Sequence, residues 1–236
     1  MKKDVDKPSV YRLAGDTGLI VEFGEGIDPD VNAKVRAVAA AIKKNTLQGL
    51  IEIIPTYRSL LLIYDPLVTL PEKLIPFIEQ LETTLEDENK EPCRIVEIPV
   101  FYGEEFGPDI ETVAKSANLN QEEVIELHSR PEYLIYMVGF TPGFPFLGGL
   151  DKRLFTPRLK TPRMVVPKGS VGIANNQTGM YPIASPGGWQ IIGKTPLTLF
   201  APHRKTPFLY QAGDKIKFIP ISRQEYSRLE ENEANR

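Results

Sequence analysis

The chain has 236 residues, 42% of them hydrophobic and 25% charged, with a formal net charge of -3 and a pI near 5.6. That length suits two globular domains with ample core, and the acidic balance excludes a nucleic-acid binder that works through a basic surface. The lone Cys93 excludes an intrachain disulfide and fits a reducing, cytoplasmic setting. The start, MKKDVDKPSV, has no apolar run behind it, and Leu47 to Leu70 is broken by Glu52, Pro55, Arg58, Asp65 and Pro66, so neither a signal peptide nor a membrane span is expected.

Residues 10–24 read as two short strands, YRLAG and LIVEFG, joined by a turn at Asp16-Thr17-Gly18. Asp28 is placed to cap a helix with Pro29 in its first turn, and Val31, Val35, Val38, Ala39 and Ile42 recur at helical spacing up to Lys44. Two strand-like runs follow, GLIEIIPT and SLLLIYD. A second helix opened by Pro71 then puts Leu74, Phe77, Ile78, Leu81 and Leu85 on one face. The order ββαββα predicts an α+β domain over residues 1–90, an antiparallel sheet with both helices on one face and no cluster of catalytic residues. The polar run EDENKEP, residues 86–92, reads as a connector to a second domain, residues 91–236.

That second part opens with a strand, CRIVEIPV, and two helices, Pro108 to Ala117 and Asn120 to Ser129, the latter with a capping box formed by Asn120 and Glu123. From Tyr133 helices stop. Short apolar runs (YLIYMVGF, MVVP, SVGIA, QIIG, LTLF, KIKFIPI) alternate with Gly/Pro turns, the pattern of a closed or nearly closed β-barrel, and the charged tail SRQEYSRLEENEANR is expected to fray. Between Gly139 and Phe200 lie ten of the 18 glycines, eight of the 21 prolines, seven Lys or Arg and one acid, Asp151. A basic, turn-dense surface of this kind, set in an acidic chain, is suited to holding an anion in a fixed shape.

The ordered motifs GFTPGFPFLGG, TPRLKTPR, VPKGSVGIA, YPIASPGGW and IIGKTP resemble those of the KipI family, whose members are also called the B subunit of 5-oxoprolinase or allophanate hydrolase subunit 1. The likeness spans the whole chain. It implies a small α+β domain followed by a cyclophilin-like β-barrel, in a subunit rather than a free-standing enzyme. Paired with a homologous barrel protein (KipA, the C subunit of 5-oxoprolinase) and with the A subunit of that enzyme, such a protein converts 5-oxoproline to glutamate at the expense of ATP. ATP is thus implied for the complex, with Mg²⁺ arriving on its phosphates; no metal site is expected in the chain itself, whose two His and one Cys lie far apart. The same resemblance offers two other roles: inhibition of a sporulation sensor histidine kinase by binding, and half of a biotin-dependent carboxyltransferase acting on a urea-like substrate.

Against that background each residue has a functional and a structural reading. His128 ends the second helix before the barrel, where the helix dipole stabilises a His; the family motif implies an acid/base or phosphate-orienting role for it instead. His203 matches no motif residue. Arg158, Arg163 and Lys168 are the residues for a carboxylate or phosphate, converging only if the prolines at 157, 162 and 167 make the backbone irregular. Lys168-Gly169-Ser170 resembles the end of a phosphate-binding loop without its full spacing. Ser185 with Gly187 and Gly188 offers an oxyanion or carboxylate nest, or else a tight turn with Trp189 in the core. Gln177 and Tyr181 can give neutral hydrogen bonds to a lactam, and Phe140, Phe144 and Phe146 a wall or an interface with the partner barrel.

Overall fold

The computed structural model describes residues 7–45, 47–85 and 93–234 and divides into two units between Cys93 and Arg94. The connector expected at residues 86–92 lies outside the described residues. The first unit runs β1 (Val10–Ala14), β2 (Gly18–Glu22), α1 (Pro29–Lys44), β3 (Leu50–Pro55), β4 (Ser59–Tyr64) and α2 (Pro71–Thr84), with an antiparallel sheet in the order β1-β2-β4-β3. Alternation along the strands turns Leu19 and Val21 of β2 and Leu60, Leu62 and Tyr64 of β4 inward. There they share one core with Val31, Val35, Val38 and Ile42 of α1 and Leu74, Ile78 and Leu81 of α2. Each fully buried aliphatic side chain contributes roughly 1.5–3 kcal/mol. The Asp28 carboxylate accepts from the backbone N–H of Asp30 (2.8 Å) and Val31 (3.2 Å), starting α1 where expected. Buried Asn32 then donates to the carbonyls of Thr56 (3.3 Å) and Tyr57 (3.1 Å), which ties α1 to the β3–β4 turn.

The second unit contains β5 (Ile95–Tyr102), α3 (Ile110–Ala117), α4 (Gln121–Ser129), β6 (Glu132–Val138), β7 (Pro145–Gly148), β8 (Arg163–Val166), β9 (Ser170–Ala174), β10 (Gln177–Met180), β11 (Ser185–Gly187), β12 (Gln190–Lys194), β13 (Lys215–Pro220) and α5 (Arg223–Ala234). A closed barrel forms in the order β10-β7-β6-β13-β5-β12-β9; β5 and β13 pair in parallel and the other neighbours antiparallel. Closure leaves the barrel without free edges. The capping box of α4 is in place, with Glu123 N–H on Asn120 Oδ1 (2.9 Å) and Asn120 N–H on Glu123 Oε2 (2.8 Å). Val113 of α3 and Val124 and Leu127 of α4 join Ile98, Ile135, Ile173, Ile216 and Phe218 in the barrel core.

Three expectations are corrected. MVVP is not a barrel strand: β8 pairs with β11 in a separate two-stranded ribbon. LTLF forms no strand beyond an isolated bridge between Phe200 and Phe208; it lies between Pro196 and Pro202, which lack the N–H groups that would extend a ladder. The tail does not fray but forms α5. Its Glu and Arg residues are good helix formers, Arg223 pairs with Glu105, and Tyr226 is buried with its ring 4.6 Å from Phe106 and 6.4 Å from Phe101.

Candidate functional site

The glycine- and proline-rich stretch supplies the barrel strands β7, β9, β10 and β12, the β8–β11 ribbon and the loops that join them. In the β6–β7 loop, Thr141 N–H donates to Gly139 O (2.8 Å), Phe144 N–H to Thr141 O (3.0 Å) and Gly139 N–H to Phe144 O (3.0 Å). This tight loop holds Phe140 in the left-handed region (φ 64°), with its ring largely exposed. Phe144 lies under it at the centre of an edge-to-face cluster, with ring centroids 5.7 Å from Phe140, 5.1 Å from Phe146, 5.6 Å from Tyr181 and 5.4 Å from Trp189. These five rings, Arg158 and the Gly187-Gly188 turn enclose a cleft of ≈ 130 Å³, room for about four waters or one small ring.

Arg158 is positioned by its neighbours. The carbonyl of Pro157 accepts from Gln190 Nε2 (3.0 Å), and Leu159 N–H donates to Gly188 O (2.7 Å), so the chain is pinned on both sides while the side chain stays exposed. Among the described residues no carboxylate pairs with Arg158. Its charge acts on Tyr181, whose phenol is held above its ordinary pKa by burial and drawn the other way by Arg158, the Trp189 backbone and Arg163. Gly187 is required: a Cβ there would overlap Tyr181 Oη. A guanidinium facing aromatic walls suits a flat, small molecule with one carboxylate or phosphoryl group.

The other expected residues are dispersed. Arg163 donates to Asp109 Oδ1 (2.7 Å) and to Trp189 O (3.3 Å), while Asp109 Oδ2 accepts from Ile191 N–H (2.6 Å). Arg163 therefore fastens the β8 ribbon to β12 and the start of α3, and its charge is already matched. Asp109, which sequence reasoning passed over, was signalled only by its place before α3. Lys168 lines a different cavity with Lys194. Gly169 is not an anion cradle: its N–H donates to Tyr181 O (2.7 Å) and its carbonyl accepts from Thr195 N–H (2.9 Å). Ser170 is buried in β9, and Gln177 sits half-buried in the β9–β10 hairpin; neither lines the cleft. Ser185 does not line it either, although its buried Oγ has no hydrogen-bond partner.

The geometry overturns the acid/base role expected of His128. It is fully buried, stacked 4.6 Å from Phe218, with Nδ1 2.8 Å from Tyr102 Oη and Nε2 2.7 Å from Thr178 Oγ1. Thr178 gives its own proton to Gly172 O (3.0 Å), so it accepts from His128 Nε2–H, and Tyr102 donates to Nδ1. A neutral ring is thus fully satisfied, and burial lowers its pKa to about 3. His128 thus joins α4 to the barrel core. His203 is exposed, and among the described residues no group of three His, Cys, Asp or Glu stands close enough to hold a metal.

A family model described as carboxyltransferase domain, subdomain C and D, matches residues 9–210. The B subunit of the 5-oxoprolinase of Bacillus subtilis is 48% identical over 227 residues, covering 92% of this chain and 95% of that protein. The protein of the same name from Escherichia coli O157:H7 is 42% identical over 213 residues, 88% of this chain and 94% of that one. Among solved structures, a conserved uncharacterized protein of Pyrococcus horikoshii matches with a TM-score of 0.55 at 46% identity, over 92% of this chain and 100% of that one. The Kluyveromyces lactis urea carboxylase matches with a TM-score of 0.82 at 20% identity, over 99% of this chain and 24% of that one, a likeness of fold alone. The chain belongs to the carboxyltransferase-domain family of subdomains C and D and, within it, to the group of 5-oxoprolinase B subunits that its barrel motifs resemble.

Proposed function

We propose that this chain is the B subunit of an ATP-dependent 5-oxoprolinase and that the Arg158 cleft holds the lactam. What carries the reading is Arg158: an unmatched guanidinium pinned on both sides between aromatic walls, in a chain that parallels B subunits over nearly their full length. A five-membered lactam with one carboxylate is flat, small and singly anionic, which suits rings on the walls and a planar fork at the end. The amide is too stable for direct hydrolysis at a useful rate. Phosphorylation of its carbonyl oxygen by ATP, with ADP departing, activates the carbonyl carbon; water adds to it, the ring C–N bond breaks with the nitrogen leaving as the amine, and a second water releases phosphate from the resulting γ-glutamyl phosphate to give glutamate. Such a path needs positioning and charge stabilisation more than a nucleophile, and this chain offers Arg158 and the Tyr181 hydroxyl. Mg²⁺ reaches the site on the nucleotide phosphates. The homologous barrel protein and the A subunit of the enzyme complete the assembly, in the cytoplasm, where a lone exposed thiol such as Cys93 stays reduced.

The test is glutamate formation from 5-oxoproline and ATP by the purified partner proteins, with and without this chain. Turnover that requires the chain is the expected result. Partners that associate with it and remain silent, together with loss of sensor-kinase autophosphorylation on adding the chain alone, would replace this reading by the inhibitor role.

A further inference from the structure

Lys168 and Lys194 stand in a second cleft, of ≈ 330 Å³, between the barrel and α5. Cross-strand pairing of Lys194 with Ser170 brings the two lysine-bearing segments side by side. Among the described residues neither lysine pairs with a carboxylate: Lys194 Nζ lies over the rings of Phe106 (4.8 Å) and Tyr226 (5.9 Å), and Lys168 is exposed. The acids of α5 that line the cleft are held by partners other than the two lysines. Glu230 accepts from Tyr226 Oη (3.2 Å), while Glu233 accepts from Thr198 N–H (3.2 Å) and lies 3.8 Å from Arg204. The Thr198 amide therefore already holds an oxyanion, the Glu233 carboxylate, at the wall of a cavity with two unmatched ammonium groups. Solvated surface lysines would show neither the enclosing cavity nor a backbone amide occupied by an internal anion.

We propose that this cleft is a second binding site, for a phosphorylated small molecule, with Lys168 and Lys194 on the phosphoryl oxygens and Glu233 displaced from Thr198 N–H as the ligand enters. Two ammonium groups match a group carrying close to two negative charges better than a single carboxylate. The apolar lining from Ile183, Leu197 and Phe200 leaves room for an organic portion. The site is separate from the Arg158 cleft and does not depend on the activity proposed for it.

Calorimetric titration of the full chain alone, at low ionic strength, tests this with inorganic pyrophosphate and with ATP as probes. The expectation is saturable binding of pyrophosphate, weakened roughly tenfold or more in Lys168→Ala and in Lys194→Met, and tightened about two- to fivefold in Glu233→Gln, which removes the competing charge. ATP binding more tightly than pyrophosphate would identify the ligand as a nucleotide; equal affinities would identify a site for the phosphoryl group alone. Lys160→Ala, which removes an exposed charge elsewhere in the basic stretch, should change nothing. Should Lys194→Met lose its fold with its ring contacts, exposed Lys168 still decides the matter. No saturable binding, or equal weakening by Lys160→Ala and Lys168→Ala, overturns the proposal.

Discussion

Three basic residues at five-residue spacing invited one anion site, and the folded chain gave each a different neighbour. Arg158 faces the cleft, Arg163 meets Asp109 and Lys168 lines another cavity. The sequence could show the type and the density of charge, but the partner that neutralises Arg163 lies 54 positions away, and no local pattern shows it. Asp109→Ala should therefore destabilise the protein by about 2–4 kcal/mol, leaving Arg163 and the Ile191 N–H without their acceptor; denaturant midpoints measure this. His128 makes a prediction in pH. Its folded pKa, about 3, lies below the ordinary 6.5, so the unfolded chain binds the extra proton. The stability it supports is intact above pH 6.5 and falls toward pH 3 by about 1.4 kcal/mol per unit. Urea midpoints across that window should show this slope, and His128→Gln should flatten it. Gly187→Ala should cost about 1–3 kcal/mol and close the cleft, because the new Cβ meets Tyr181 Oη; turnover in the reconstituted complex should drop far more than stability does.

Elements with a periodic face, a capping signal or a clear apolar run were legible, and the four-residue barrel strands without one were not. α1 carried its cap and its buried stripe in the sequence and α4 its capping box, and both begin where those signals stand. β7 and β10 have four residues each, with Pro145, Gly148 and Gly179 among them, so no alternation has room to develop, and only barrel closure makes them strands. α5 escaped because its mean composition is that of a solvated tail, while its anchor is a single buried ring. Tyr226→Ala should consequently cost about 3 kcal/mol and release α5, seen as faster amide exchange over Arg223–Ala234 with the barrel strands unaffected.

At the scale of the molecule, the α+β order and the barrel were both readable, because each depends on summed patterns rather than on single contacts. The first unit has no cluster of the described residues that suggests chemistry, and both clefts with charged walls lie in the barrel unit, as the concentration of Gly, Pro and basic residues there indicated. Proteins of this group are named as subunits, so the decisive observation has to be made on the assembled complex. The measurement is the turnover of 5-oxoproline by that complex carrying Arg158→Ala, beside Arg158→Lys and the unaltered chain, with assembly checked by size. Intact assembly is expected, with a fall of roughly 30- to 1,000-fold for Arg158→Ala, about 2–4 kcal/mol of transition-state stabilisation, and partial recovery in Arg158→Lys; turnover unchanged by Arg158→Ala in an intact complex would remove Arg158 from the site.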